Sequence, residues 1–271
     1  EEFAGVDIAS ADDAVTLGLD GQETVVSLVR SDELHAGDGF LQDGAAYVPL
    51  EAILELPGIV SGAAEDGTLY FARQLTLSSP AENVNVPVLM YHAVSDDLWG
   101  YWDLFVSPQT IEEELLYLQE NGFDTIWFED LSHIEDYEKP VILTFDDGHE
   151  DNYSELFPLL KKYNVKATLF VVTDFMNYVD ICMNSEQVAE LAQSGLVSIQ
   201  SHTVTHPRLD MSTAESQEEE MRQSKLELTR VTGKEPFVLS YPYGKCSIDT
   251  RPLMGEYYRF GVKMSGRVYV T

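Results

Sequence analysis

The stretch Val141-Ile142-Leu143-Thr144-Phe145-Asp146-Asp147-Gly148 limits what this chain can fold into more than any other. An apolar run of this length suits a strand buried on both faces, and two carboxylates followed by glycine mark where it leaves the core. Such strands belong to parallel sheets, where the residues just past the carboxyl ends of the strands carry the chemistry. Neighbouring carboxylates repel, so both stay ionised only where a cation, a shared proton or open water relieves them. A metal ion is the relief that the rest of the sequence supports.

From residue 87 onward short apolar runs alternate with amphipathic helices, the pattern of βα units. Seven strands are expected, at 88–91, 125–128, 141–145, 167–172, 197–201, 237–241 and 260–264, one short of a full eight-fold barrel. Helices are expected at 108–121, 152–163, 185–194 and 212–232, the last opening on a capping box, Ser212-Thr213-Ala214-Glu215, and stopping at Gly233. Residues 1–75 read instead as a small α+β unit. Segments 14–19 and 24–29 flank the hairpin signal Asp20-Gly21, Asp43-Gly44 leads into 46–50, residues 50–56 are spaced like a short helix, and 59–63 and 68–72 flank Asp66-Gly67. Residues 76–86 are polar, carry Pro80 and read as a linker to a third segment, the α/β domain at 87–271.

The 47 Asp and Glu against 16 Lys and Arg give a formal charge of −31, which repels phosphates and anionic lipid and excludes nucleic acid as a partner. No run approaches the roughly 18 apolar residues of a membrane span. The first residues, Glu-Glu-Phe-Ala-Gly, hold neither a basic nor an apolar leader segment, so the chain is cytosolic or has lost a signal peptide. Two cysteines, Cys182 and Cys246, rule out a disulfide framework and leave either one bridge or two thiols. The expected oligomeric state is a monomer.

Parallel strands share one carboxyl-terminal face, so the residues following them form one list of candidates. His92 follows the first strand, Asp146 and Asp147 the third, His202 the fifth and Tyr243 the sixth. In Ser201-His202-Thr203-Val204-Thr205-His206 the histidines stand four apart and face one ion if the segment turns helically as it leaves the strand. Together with one aspartate they suit a catalytic divalent ion, Zn²⁺ first, with Co²⁺ or Ni²⁺ as alternatives, and the second aspartate could take a proton from activated water. The competing reading of Asp146-Asp147-Gly148 is a turn with a helix cap behind it. His35 and His133 read as surface residues, and His149 receives no role.

Thr144-Phe145-Asp146-Asp147-Gly148 followed by His202-Thr203-Val204-Thr205-His206 resembles the first two motifs of the NodB-type polysaccharide deacetylases, carbohydrate esterase family four. Pro87-Val88-Leu89-Met90-Tyr91-His92, Lys166-Ala167-Thr168-Leu169-Phe170 and Tyr241-Pro242-Tyr243-Gly244 are similar to the branch acting on biofilm and wall glucosamine polymers. The resemblance covers about residues 87–264. It implies a distorted (β/α)₇ barrel, Asp146 as catalytic base, Asp147, His202 and His206 as the metal triad, and Tyr243 in the motif whose backbone N–H stabilises the oxyanion. The N-terminal stretch around Tyr47-Val48-Pro49-Leu50 loosely resembles the stalk domains first described in copper amine oxidases, which implies a spacer.

Three departures stand out. Ser240 occupies the place of an arginine that orients the base in much of the family, its Asp-Trp partner motif is not recognisable, and no histidine follows His206 to protonate the leaving amine. Either the chain stops short of that segment or another group serves, and His92 is the candidate acid; its alternative is a structural histidine bonded to a neighbouring loop. Trp99, Tyr101 and Trp102, on the loop after the first strand, suit stacking on sugar faces or cover of the barrel mouth, and Trp99, Trp102 and Tyr243 are the candidate substrate contacts. The expected function is a secreted or surface-attached, metal-dependent hydrolase that removes acetyl groups, N-acetyl before O-acetyl, from a polysaccharide. Its rivals are a metal-dependent amidohydrolase of small molecules and a degenerate carbohydrate-binding module.

Overall fold

The computed structural model describes residues 86–177 and 180–263 in full, and between 1–85 and 264–271 the backbone of the strands alone. The chain separates into two compact units, Glu1–Thr76 with Gly233–Glu235, and Leu77–Thr232 with Pro236–Thr271. In the first, β1 (Glu2–Phe3), β2 (Val6–Ala11), β3 (Ala14–Leu19), β4 (Gln22–Val29), β5 (Gly39–Gln42) and β6 (Ala45–Tyr47) form one sheet in chain order, and β7 (Ile59–Ala63) pairs with β8 (Leu69–Arg73). Leu19 faces Gln22 across the antiparallel pair β3–β4, and Gln42 faces Ala45 across β5–β6; Asp20-Gly21 and Asp43-Gly44 lie outside the described residues. The expected helix at 50–56 and most of the linker lie outside the described residues.

In the second unit seven strands run parallel: β9 (Val88–Tyr91), β12 (Asp124–Thr125), β13 (Pro140–Phe145), β14 (Ala167–Val171), β15 (Val197–Ser201), β16 (Val238–Ser240) and β17 (Phe260–Val262). The sheet curls as expected of a (β/α)₇ barrel, and β18 (Tyr269–Val270) adds antiparallel to its far edge. A separate parallel pair, β10 (Ala93–Val94) with β11 (Phe105–Val106), brackets the aromatic loop. The second strand is shorter than the expected 125–128. The Trp127 N–H donates to Asp130 Oδ2 at 2.8 Å, which turns the chain out of the sheet while Ile126 and Phe128 remain buried.

The helices are α1 (Pro108–Glu120), α2 (Phe157–Tyr163), α3 (Ser185–Gln193), α4 (Ala214–Thr232) and α5 (Thr250–Tyr257). Ser107 caps α1, accepting from the Thr110 N–H at 3.0 Å with Pro108 in the first turn. The capping box expected at Ser212 and Glu215 does not form. The Ser212 hydroxyl turns back to the Arg208 carbonyl, and Thr213 accepts from the Ser216 N–H instead. A capping box stands at Asn184 and Gln187. The helix expected from 152 opens with a π turn over Asn152–Leu156, and α5, with Pro252 and Gly255, was not anticipated. Cys182 and Cys246 are free thiols.

Strand alternation then decides what faces where. Val141, Leu143 and Phe145, with Ala167, Leu169, Val171, Val197 and Ile199, pack outward against the helices. Ile142, Phe170, Val238 and Phe260 pack inward with Phe128 and Phe237. Continuing the same period past the strand ends places Asp146, His202 and Ser240 on the inner side, with Met90 and His92 from β9.

Candidate active site

These residues line one cleft of about 1130 Å³, with Asp147, His206 and Tyr243 beside them. Asp147 takes a left-handed backbone (φ 74°), followed by Gly148 (φ 77°), so the carboxylates of Asp146 and Asp147 do not alternate as a strand's would. Asp147 Oδ1 stands 3.5 Å from His202 Nε2 and 3.4 Å from His206 Nε2, and the two Nε2 atoms are 3.2 Å apart. The ring of His202 is set by its other nitrogen, which donates from Nδ1 to the Ser240 carbonyl at 2.8 Å and leaves the Nε2 lone pair aimed at the cluster.

The histidine pair meets by a route other than the helical turn expected. Thr203 (φ 71°) and His206 (φ 59°) are both left-handed, and the Thr203 hydroxyl accepts from the His206 N–H at 3.1 Å. Two such residues fold the chain back more sharply than one helical turn, and the rings come within 4.8 Å.

Burial of neutral imidazole and ionised carboxylate is what a cation needs. Burial lowers the pKa of His202, and that of His206 to about 4. Burial alone would raise the Asp147 pKa, but the His149 hydrogen bond and the His202 and His206 imidazoles hold it well below the usual range. Asp147 Oδ1 is buried with no hydrogen-bond partner, an orphan that water-free protein does not tolerate cheaply. Four ligands at the ~2.0–2.1 Å of Zn–N and Zn–O bonds, tetrahedrally placed, stand about 3.3–3.4 Å apart. The three atoms here are spaced close to this, so Asp147, His202 and His206 fit a divalent ion.

Asp146 sits beside the cluster, its Oδ2 3.9 Å from His202 Nε2 and accepting from the Ser240 hydroxyl at 3.2 Å. Burial raises its carboxyl to about 7, against the pull of His92. Ser240, noted from sequence only as the place of a missing arginine, therefore touches both Asp146 and His202. His92 lines the cleft with its pKa lowered by burial, and its carbonyl accepts from Asn152 Nδ2 at 2.9 Å.

His149 was passed over by sequence reasoning. Its Nε2 lies 3.4 Å from Asp147 Oδ2, which engages that oxygen and leaves Oδ1 toward the histidines. Its only signal in the sequence was its position two residues after Asp147. Within the aromatic loop, Tyr101, Asp103 and Leu104 line the cleft, whereas Trp99 turns edge-on to His149 (4.7 Å between centroids) and Phe105, and Trp102 is exposed outside the lining. Tyr243, left-handed at φ 58°, lies with its ring 4.6 Å from that of His206 at the mouth.

Comparison with known proteins places the chain beside deacetylases. The polysaccharide deacetylase family model matches residues 133–258. YxkH of Bacillus subtilis (strain 168), which carries a provisional polysaccharide deacetylase name, is 34% identical over 170 residues, 61% of this chain and 59% of its own. A poly-beta-1,6-N-acetyl-D-glucosamine N-deacetylase of Escherichia coli O157:H7 is 25% identical over 48% of this chain and 22% of its own length. The chain thus spans less than two thirds of these relatives. The solved structure of the Streptococcus pyogenes deacetylase PplD in complex with acetate superposes with a TM-score of 0.63 at 29% identity, over 69% of this chain and 87% of PplD. The resemblance of the N-terminal unit to an amine oxidase stalk finds no support.

Proposed function

Because this chain carries a polysaccharide deacetylase domain, we propose that it hydrolyses acetyl groups from an acetylated polysaccharide, in the first place the N-acetyl groups of glucosamine units. The observation that carries the reading is the convergence of Asp147, His202 and His206 within ligand distance of one point, with Asp146 against the same histidine. Those three residues would hold a divalent ion, for which their donor set suits Zn²⁺, with Co²⁺ or Ni²⁺ as substitutes. When bound, the ion would polarise the acetyl carbonyl and lower the pKa of water. Asp146 takes the proton of the attacking water and is oriented by the Ser240 hydroxyl. Tyr243 offers its backbone N–H to the oxyanion, and His92, on the inner side of the same cleft, returns a proton to the leaving amine.

A cleft of about 1130 Å³ exceeds the ~300–1,000 Å³ usual for small-molecule pockets, which favours a polymer over a small amide. Tyr101, in its lining, and Trp102, exposed outside it, are the rings that would stack on sugar faces. We assign the protein to the cell surface or the secreted fraction, acting as a monomer. The test is acetate release from N-acetylglucosamine oligomers with and without added Zn²⁺. Metal-stimulated release that His206→Ala abolishes supports the reading. Oligomer binding without release would make the protein a carbohydrate-binding module instead.

A further inference from the structure

The loop that carries the two histidines cannot be held by its own sequence. It contains no glycine, yet Thr203 and His206 both occupy the left-handed region that L side chains rarely adopt. Residues held there persist only where the surroundings over-determine them. Part of that support comes from the end of β14, where Thr173 and Asp174 donate N–H bonds to the Thr203 and Val204 carbonyls at 3.1 and 3.0 Å. Besides the bond from the His206 N–H to the Thr203 hydroxyl, further support comes from α4. Glu220 accepts from the Val204 N–H at 2.8 Å, the Thr205 N–H at 2.9 Å and the Thr205 hydroxyl at 2.6 Å. One turn further along α4, Ser224 meets the Ser201 hydroxyl at 2.9 Å, and that same oxygen accepts from the Thr203 N–H.

We propose that Glu220 is a positioning residue of the metal centre, fixing the 203–206 loop so that His206 Nε2 reaches the point shared by His202 and Asp147. The inference rests on the metal-site reading above. Three donors converge on one carboxylate, the two N–H groups on Oε2 and the Thr205 hydroxyl on Oε1. Alanine at 220 removes all three bonds, whereas glutamine keeps them if its oxygen takes the Oε2 place and the hydroxyl turns to accept from its NH₂, losing only the charge. Released from that clamp, the strained backbone relaxes and His206, the ligand at the far end of the loop, moves most. His202 stays, because its Nδ1 is anchored on Ser240.

The experiment measures Zn²⁺ and Co²⁺ affinity of the full chain by competition with a chromophoric chelator, together with the visible Co²⁺ spectrum. The variants are Glu220→Ala, Glu220→Gln, Thr205→Ala and, as control, His206→Ala, each with thermal unfolding of the metal-free form. Outer-shell substitutions weaken metal binding about 10–100-fold, the range expected of Glu220→Ala together with an altered Co²⁺ spectrum. Thr205→Ala, which removes one bond of three, should lose less than about 10-fold, and Glu220→Gln, which can keep the bonds, should recover most of the loss. Wild-type affinity and spectrum in both Glu220→Ala and Thr205→Ala would overturn the proposal. So would a Glu220→Ala variant that is only less stable, with unchanged affinity per folded molecule. If His206→Ala binds metal as well as wild type, the metal site itself is wrong; if His206→Ala loses metal and Glu220→Ala does not, only the role of Glu220 falls.

Discussion

The inner faces of the same strands differ sharply between the body of the barrel and its mouth. In the body, Ile142, Phe170, Val238 and Phe260 pack together, and the buried amide of Gln200 is satisfied, donating to Ser198 and accepting from the Phe237 and Val238 N–H groups at 2.9 Å each. At the mouth, Asp146 Oδ1 and Asp147 Oδ1 are buried without hydrogen-bond partners, and Asp147, Thr203, His206 and Tyr243 are all left-handed. The contrast teaches that the body supplies the free energy that the mouth gives up: locally consistent strands carry loops that on their own would not hold their shape.

Four substitutions test this division, from the largest effect down. His206→Ala removes a ligand at the mouth, so metal affinity measured by calorimetry falls by more than about 100-fold and acetate release disappears, while the metal-free fold is retained. Asp146→Asn costs about 10²–10⁴ in the rate of acetate release, the span of a general base. The same change stabilises the metal-free protein. A carboxyl raised from 3.8 to about 7 in the folded state makes folding bind a proton, so its cost is absent below pH 3.8, grows as pH rises and is complete above 7. The gain in unfolding midpoint from Asp146→Asn should therefore be larger at pH 7.5 than at pH 5, and a gain independent of pH would count against the buried charge.

Phe170→Ala strikes the body and should destabilise by about 3–5 kcal/mol in denaturant titration, yet leave metal affinity per folded molecule unchanged. A matching loss of affinity would show that body and mouth are not separable. Ser240→Ala removes one hydroxyl bond to Asp146, worth about 0.5–1.5 kcal/mol, and should slow acetate release by roughly 3–10-fold with metal binding intact.

The same contrast explains what could be read from the sequence. Strands Val88–Tyr91 and Val197–Ser201 emerge with the bounds their apolar runs dictate, and β3 pairs with β4 as the hairpin signal between them predicts. Alternation then predicts which strand-end residues face one another, so Asp146, His202 and His92 could be placed on one cleft from periodicity alone. The loops obey no period. Left-handed threonine and histidine carry no glycine-like signature, so the turn at 203–206 was expected to be helical. Ser240 and His149 act through contacts to residues 94 and two positions away respectively, and neither spacing has a pattern attached.

The bond from His202 Nδ1 to residue 240 ends on a main-chain carbonyl, and that has a genetic consequence. Every amino acid at 240 brings the same oxygen, so the contact that selects the tautomer of this histidine is invisible to an alanine scan and indifferent to drift at the codon. A substitution at 240 therefore acts on Asp146 through the lost hydroxyl while leaving the imidazole in line.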